Sequence, residues 1–292
     1  MRRPVKVLST MRRLVPKAFS RWSDHEGQRL GAALAFYSIL SAAPLLVLAV
    51  FLTSSVLGRQ AAEQRLVSFA QRNLGPTGAV VVQSVMHHAL RVHHSNWAVG
   101  IALVLLLFGA SGAFLELRDD LNKMWETRTR SSGILGLILQ RFFAFLLVLA
   151  AGILALASML ATAALSVITH FFHNIAPVPP VLLEILNFIV SVFLLAVVFV
   201  LVFRFVPDRH LPLKCLWPGA LVTAVLFTAG KALLGIYLMR FGVGSAYGAA
   251  GSVVALAFFL YYAAQIFLFG AELTYLWAKR ILQSSGEALA PS

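Results

Sequence analysis

The sequence predicts an all-α membrane protein, a bundle of six transmembrane helices with both termini in the cytoplasm. Three observations predict it. Six apolar stretches, near 31–57, 97–115, 142–169, 181–203, 215–238 and 249–277, reach or approach the roughly 20 residues that cross a ~30 Å hydrocarbon core. Only 12% of the 292 residues are charged and 60% are hydrophobic, whereas a soluble domain carries about a quarter charged residues. The 24 Lys and Arg gather in alternate connections, the asymmetry that orients a membrane chain. With no water in the bilayer to satisfy stray backbone groups, each stretch should be a helix.

The expected organisation is a basic cytoplasmic tail over 1–29, a six-span domain over 30–280 and a short cytoplasmic tail over 281–292. Arg2, Arg3, Lys6, Arg12, Arg13, Lys17, Arg21 and Arg29 precede the first span. Leu8, Met11, Val15, Ala18 and Trp22 recur between them at helical spacing. That pattern fits a helix on anionic headgroups, broken or kinked near Pro16, and it fits a disordered basic tail equally. The basic stretch is too long for a cleavable signal peptide, and no short apolar core follows it. In the first span Pro44 frees the carbonyl of Leu40, with Ser38 and Ser41 placed to compensate.

Residues 58–96 form an outer loop with two helical patterns, Ala62, Leu66, Phe69 and Ala70, then Val81, Val85 and Met86, separated by Gly75-Pro76. A cap over span ends and a substrate gate are the two readings. His87, His88, His93 and His94 lie there, and His170 and His173 lie in the third connection. His87 and His94 sit two turns apart, about 10 Å, too far to share one ion unaided. His170 and His173 have workable spacing but no neighbouring carboxylate, so they are weak metal candidates and no metal site is expected. The one cysteine, Cys215, excludes an intrachain disulfide and reads as a small apolar residue.

The second connection carries Arg118, Lys123, Arg128, Arg130 and Arg141. Glu116, Asp119 and Asp120 fall on one helical face there and raise the question of a magnesium-dependent nuclease. An ion-pair network with Arg118, Lys123, Arg141 and Arg204 is the expected alternative. The net charge of +13 is what insertion and anionic lipid already require, so nucleic acid is not an expected partner.

Polar residues inside the spans mark a route. Lys231 in the fifth span is set to meet Asn187, Glu184 or both in the fourth, with Ser191 one turn on; snorkelling to the outer headgroups is the alternative. Gln265 and Glu272 share a face of the last span, and Glu272, near its cytoplasmic end, is expected to meet Arg204 or Arg141. Ser158, Thr162 and Ser166, and Gly244 with Gly248 around Tyr247, read as close-packing faces, within one chain or between copies of a homo-oligomer.

Ala33-Leu34-Ala35-Phe36-Tyr37-Ser38, then Ser41 and Pro44, resembles the first span of the YihY/BrkB family. Gly112-Ala113-Phe114 and Leu121-Asn122-Lys123-Met124-Trp125 resemble its second-span signature. Arg204-Phe205-Val206-Pro207-Asp208-Arg209, Pro218-Gly219-Ala220, Lys231, Tyr237, Tyr247-Gly248-Ala249 and Gly270-Ala271-Glu272-Leu273 follow in order. The resemblance implies a multi-pass protein of the bacterial inner membrane. Its family was once labelled the tRNA-processing ribonuclease BN, and members have been connected with serum resistance and with export of lipids or lipid-linked precursors. The function this implies is transport, or flipping between leaflets, of an anionic lipid, lipid-linked precursor or phosphodiester, without enzymatic chemistry or a cofactor. Its partners would be membrane lipids, including anionic headgroups at the cytoplasmic face. Lys231, Asn187, Glu184, Ser191, Tyr247 and Gln265 would line the route; Arg204, Arg209, Glu272, Arg141 and Asn122 would form a cytoplasmic gate. A scaffold and a membrane-tethered ribonuclease are the other two hypotheses.

Overall fold

The computed structural model describes residues 4–41, 109, 112–127, 136, 180–241 and 249–284, together with 58, 60–61, 63–68, 70–71, 79–80 and 82–83. Among them every regular element is helical. The longer helices are α1 (Pro4–Asp24), α2 (27–41), α3 (112–124), α4 (Pro180–Phe205), α5 (Leu213–Phe241) and α6 (Ala249–Ser284), and residues 60–61, 63–68, 70–71, 79–80 and 82–83 are helical as well. The chain divides into two compact units. One comprises Met1–Gly27, Arg118–Thr228 and Ile266–Ser292; the other comprises Gln28–Leu117 and Ala229–Gln265.

Proline sets several of the helix bounds. Pro4 and Pro180 occupy the first position of α1 and α4, where the missing N–H removes no helical bond. Pro207 stands just beyond α4, and Pro212 precedes α5, whose Cys215 N–H bonds the Pro212 carbonyl at 2.8 Å. Three helices contain windows long and apolar enough to cross a membrane: Phe188–Phe205, Leu213–Leu233 and Leu256–Gln283. These match the fourth, fifth and sixth expected spans. The first three expected spans lie wholly or largely outside the described residues.

The last helix continues past the expected end at residue 277 to Ser284. The sequence becomes charged at Lys279 and Arg280, but Ala278 and Leu282 are buried, so packing carries the helix on. The first helix does not break at Pro16; it is helical on both sides. Its buried stripe is Leu14, Ala18 and Trp22, whereas Val15 is 43% exposed. Leu14 and Ala18 pack with Leu273 and Trp277 of α6, so this segment is a docked helix and not a disordered tail. Ser38 and Ser41 also differ from expectation. Their hydroxyls donate to the carbonyls of Leu34 (2.7 Å) and Ser38 (3.0 Å), not to Leu40; Pro44 is outside the described residues.

In the first unit, α4, α5 and α6 pack around an aromatic core. Phe199, Phe203, Phe227 and Phe267 stack and tilt on one another with ring centroids 5.3–6.3 Å apart. Where α5 crosses α6, two glycine–threonine pairs interlock. A Cβ on Gly219 would lie 2.7 Å from the Cα of Thr274, and one on Gly270 would lie 2.0 Å from Oγ1 of Thr223. The Thr223 and Thr274 hydroxyls donate to the carbonyls of Gly219 and Gly270, four residues back (2.8 and 2.7 Å). Lipid tails are as apolar as the helices, so van der Waals contact of this closeness, not exclusion from water, drives their association. In the second unit, Ala70 and Val82 are buried with Leu66 and Val67 packed against them. Leu66 and Ala70 belong to the first helical pattern read in this loop; Val81, Val85 and Met86 of the second lie outside the described residues.

Candidate functional site: a buried carboxylate held by the first helix

The most concentrated polar chemistry among the described residues lies in the first unit. Glu272, on α6, has a side chain 0% exposed. Arg21 near the end of α1 donates from Nε to Glu272 Oε2 at 2.9 Å, and His25 Nδ1 contacts Glu272 Oε1. Removing a carboxylate from water requires such partners, since an unpaired buried charge is strongly destabilising. Arg204 does not serve Glu272, contrary to expectation. Its guanidinium donates to the Leu211 carbonyl at 2.7 Å, tying the end of α4 to the loop before α5. Arg141 lies outside the described residues.

Arg21 reaches further, donating from Nη1 to Glu126 Oε1 at 2.7 Å and from Nη2 to the Met124 carbonyl at 3.3 Å. The guanidinium also lies over the Tyr275 ring, 5.2 Å from its centroid. Tyr275 in turn donates to Glu126 Oε2 at 3.1 Å. Arg209 approaches the Trp125 carbonyl at 3.4 Å and the Tyr275 hydroxyl at 3.5 Å. Burial works against the Arg21 charge, but the bonds to Glu272 and Glu126 outweigh it and hold its pKa above the ordinary value. The Arg21 hydrogen bond keeps Glu126 below the ordinary carboxylate value, against a weaker opposing effect of burial.

Two glutamates close their helices in the left-handed region, Glu26 after α1 (φ 59°) and Glu126 after α3 (φ 51°). At Glu126 the helix ends with Thr127 N–H bonding the Asn122 carbonyl at 2.8 Å, a role glycine usually fills. The two ends exchange partners: Glu126 takes Arg21 of α1, and Glu26 takes Lys123 of α3 at 3.2 Å.

A second cluster fixes the loop between α4 and α5. Asn122 donates from Nδ2 to Asp208 Oδ2 (2.8 Å) and accepts the Asp208 N–H (2.9 Å), while Arg118 bridges Asp208 at 2.5 Å. Trp125 is fully buried, and its indole donates to the Ala271 carbonyl at 3.1 Å. Arg118 and Lys123 form ion pairs with Asp208 and Glu26, and Arg118 also acts on Asp119 of the acidic face of α3. On that face Asp120 is buried and Asp119 exposed. Burial pushes the Asp119 carboxyl up, Arg118 opposing and Asp208 adding to the rise. Among the described residues no three of His, Cys, Asp and Glu gather to hold a metal.

Of the expected gate, Glu272, Asn122 and Arg209 thus fall into one region with Trp125 and Tyr275, and Arg204 sits at the adjoining loop. The route candidates are less drawn together. Lys231 is exposed on α5 and Ser191 on α4. Gln265 donates to the Gln28 carbonyl at 3.2 Å. The side chains of Glu184 and Asn187 lie outside the described residues, as do Tyr247, Ser158, Thr162, Ser166, Gly244, Gly248 and the six histidines from His87 to His173. In the second unit an open polar cavity of about 690 Å³ is lined by Gln60, Glu63, Gln64, Val67, Ser68 and Gln83.

The virulence factor BrkB family model matches residues 18–290. The chain belongs to the virulence factor BrkB family. Its match begins inside α1 and takes in Arg21, His25, Glu126, Asp208 and Glu272, so the whole clamp lies within the family's span. Similar proteins include a UPF0761 membrane protein of Azotobacter vinelandii, 26% identical over 87% of this chain and 60% of that one. A UPF0761 membrane protein of Pseudoalteromonas translucida is 26% identical over 82% of this chain and 78% of its own. The ribonuclease-like protein YfkH of Bacillus subtilis is 23% identical over 90% of this chain and 94% of its own. The chain spans about three fifths of the length of several curated relatives it matches. No solved structure matches it. This BrkB-family chain is a membrane protein.

Sequence reasoning missed Arg21, His25 and Glu126 as members of the cluster. Arg21 read as one more headgroup charge in a basic tail. No local signal marked it, because its buried partner Glu272 lies 251 positions away.

Proposed function

We propose that the protein carries an anionic, lipid-like component of the cell envelope across a bacterial inner membrane, with six spans and both termini cytoplasmic. The observation that supports this reading is the contrast between two charges on membrane-capable helices. Glu272 is buried and doubly paired, whereas Lys231 stands exposed ten residues, about 15 Å, before the end of α5. A cation held at such depth favours an anion beside it, and lysine is a serviceable point-charge partner for phosphate. In this reading Glu272, Arg21, His25, Glu126 and Arg209 hold the cytoplasmic end closed, and Lys231 meets the phosphate on its way.

The deciding experiment reconstitutes the native chain and Lys231→Ala in vesicles carrying fluorescent phosphatidylglycerol, with dithionite reading exchange between leaflets. The native chain should accelerate exchange and the variant should not. No exchange by the native chain sinks the lipid reading; equal exchange by both removes Lys231 from the route. A scaffold role is the second reading, favoured by how fully Glu272 is paired. A ribonuclease is the third, carried by the name given to the Bacillus relative. RNA cleavage that needs magnesium and is lost in Asp119→Asn would establish it.

A further inference from the structure

The first helix carries more than the clamp. With about 100° of turn per residue, its side chains from Arg13 onward fall into three sectors. Leu14, Ala18 and Trp22 form the buried sector, and Arg21 and His25 continue it. On one flank lie Val15 and Phe19, 43% and 59% exposed, with Phe19 stacked on Trp22 at 5.6 Å between centroids. On the other flank lie Arg13 and Lys17, both exposed.

The height of this helix follows from what it packs on. The apolar window of α6 runs from Leu256 to Gln283, with Lys279 and Arg280 in its last turns; cations at a span end sit at headgroup level, which places the boundary near this end of the helix. The α6 residues clustered with Leu14 and Ala18 are Leu273 and Trp277, within two turns of Lys279 and Arg280. The helix therefore lies where acyl chains give way to headgroups. An exposed phenylalanine and valine on one flank and two cations on the other then have a single consistent environment. The apolar flank faces the acyl chains and the cations reach the phosphates, the arrangement of an in-plane interfacial helix.

We propose that α1 is a docking surface for the anionic phospholipid of the leaflet at which α6 ends, with Phe19 and Val15 inserted and Arg13 and Lys17 on the headgroups. The proposal is independent of what the protein transports, since it concerns the resting contact of α1 with its own bilayer. By holding α1 down, that contact also keeps Arg21 and His25 over Glu272.

The test uses the full chain in vesicles of phosphatidylcholine with phosphatidylglycerol, nitroxide-labelled at Phe19→Cys or Lys17→Cys. The buried Cys215 stays in place, and the unsubstituted chain serves as the labelling control. The label at position 19 should be reached by oxygen more readily than by a water-soluble nickel chelate, and the label at position 17 should show the reverse. Equal, high nickel access at both positions overturns the proposal by placing the face in water. Shielding of position 19 from both reagents overturns it in favour of a protein partner or second copy. A second measurement leaves Phe19 native: Arg13→Gln/Lys17→Gln should lower the preference for spin-labelled phosphatidylglycerol over phosphatidylcholine at least twofold. An unchanged preference removes the anionic lipid from the proposal.

Discussion

Two charged groups of this chain, the network around Arg21 in the first unit and Lys231 in the second, stand in different surroundings. In the first, Arg21, Glu126, Glu272, Arg118, Asp208, Lys123 and Glu26 are drawn into ion pairs across α1, α3, α6 and the loop after α4. In the second, Lys231 stands exposed, and Gln265 donates a hydrogen bond to the Gln28 carbonyl. The charges that hold these helices together are shared between partners, Glu272 fully buried among them, whereas Lys231 lies on the surface. The difference teaches where to look for structure and where for traffic. Substitution in the first unit should appear as lost stability, and substitution at Lys231 as lost function.

The largest effect should come from Arg21→Ala. It leaves Glu272 buried with His25 alone, and breaking a buried pair costs about 3–5 kcal/mol; thermal unfolding in detergent would show a loss of that order. A drop below ~1 kcal/mol would mean that Glu272 relaxes to solvent and that the contrast between the units is shallow. Next comes Gly219→Leu. Its Cβ would sit 2.7 Å from the Thr274 backbone, so overpacking should destabilise by about 3 kcal/mol, read by the same assay. Asn122→Ala removes both bonds to Asp208 and should cost about 1–3 kcal/mol. Lys231→Ala, at an exposed position, should stay within about 0.5 kcal/mol of the native stability while abolishing leaflet exchange. A large stability loss there would erase the contrast.

The smallest effect is the pH response of Glu126. Its carboxyl is held below its ordinary value of 4.5 in the folded chain, so its pairing with Arg21 is fully present above pH 4.5. It is lost as pH falls through the lower folded value, because the unfolded chain takes up the proton first. Glu126 is 46% exposed, and an exposed pair contributes less than about 1 kcal/mol. Comparing native chain with Glu126→Gln across pH 3–6 should show the two unfolding profiles converging at the acid end.

The helices that carry membrane windows were legible because a bilayer leaves little choice: the apolar runs at 181–203, 215–238 and 249–277 became α4, α5 and α6, the last of them extended to Ser284. The clamp was not legible. Arg21 and Glu272 are 251 positions apart, and nothing local distinguishes an arginine that pairs inward from the seven basic residues around it. The α5–α6 crossing was only half visible. Gly219 and Gly270 stood out as parts of a resemblance, but their meshing with Thr274 and Thr223 depends on the register of two helices. A single sequence does not reveal that register. Pro16, expected to break or kink the first helix, does not break it: the chain is helical on both sides, with Leu14 and Ala18 packed on α6.

That crossing bears on how the bundle can move. Gly219 receives Thr274 while Gly270 receives Thr223, so each helix holds a notch and a tooth one turn apart. Sliding either helix along its axis would drive a threonine into a backbone that has no room for it, whereas tilting about the contact disturbs neither pair at first. The joint behaves as a pinned hinge. A scissor motion about Gly219 and Gly270 is the displacement of these two helices that leaves both meshed pairs in place.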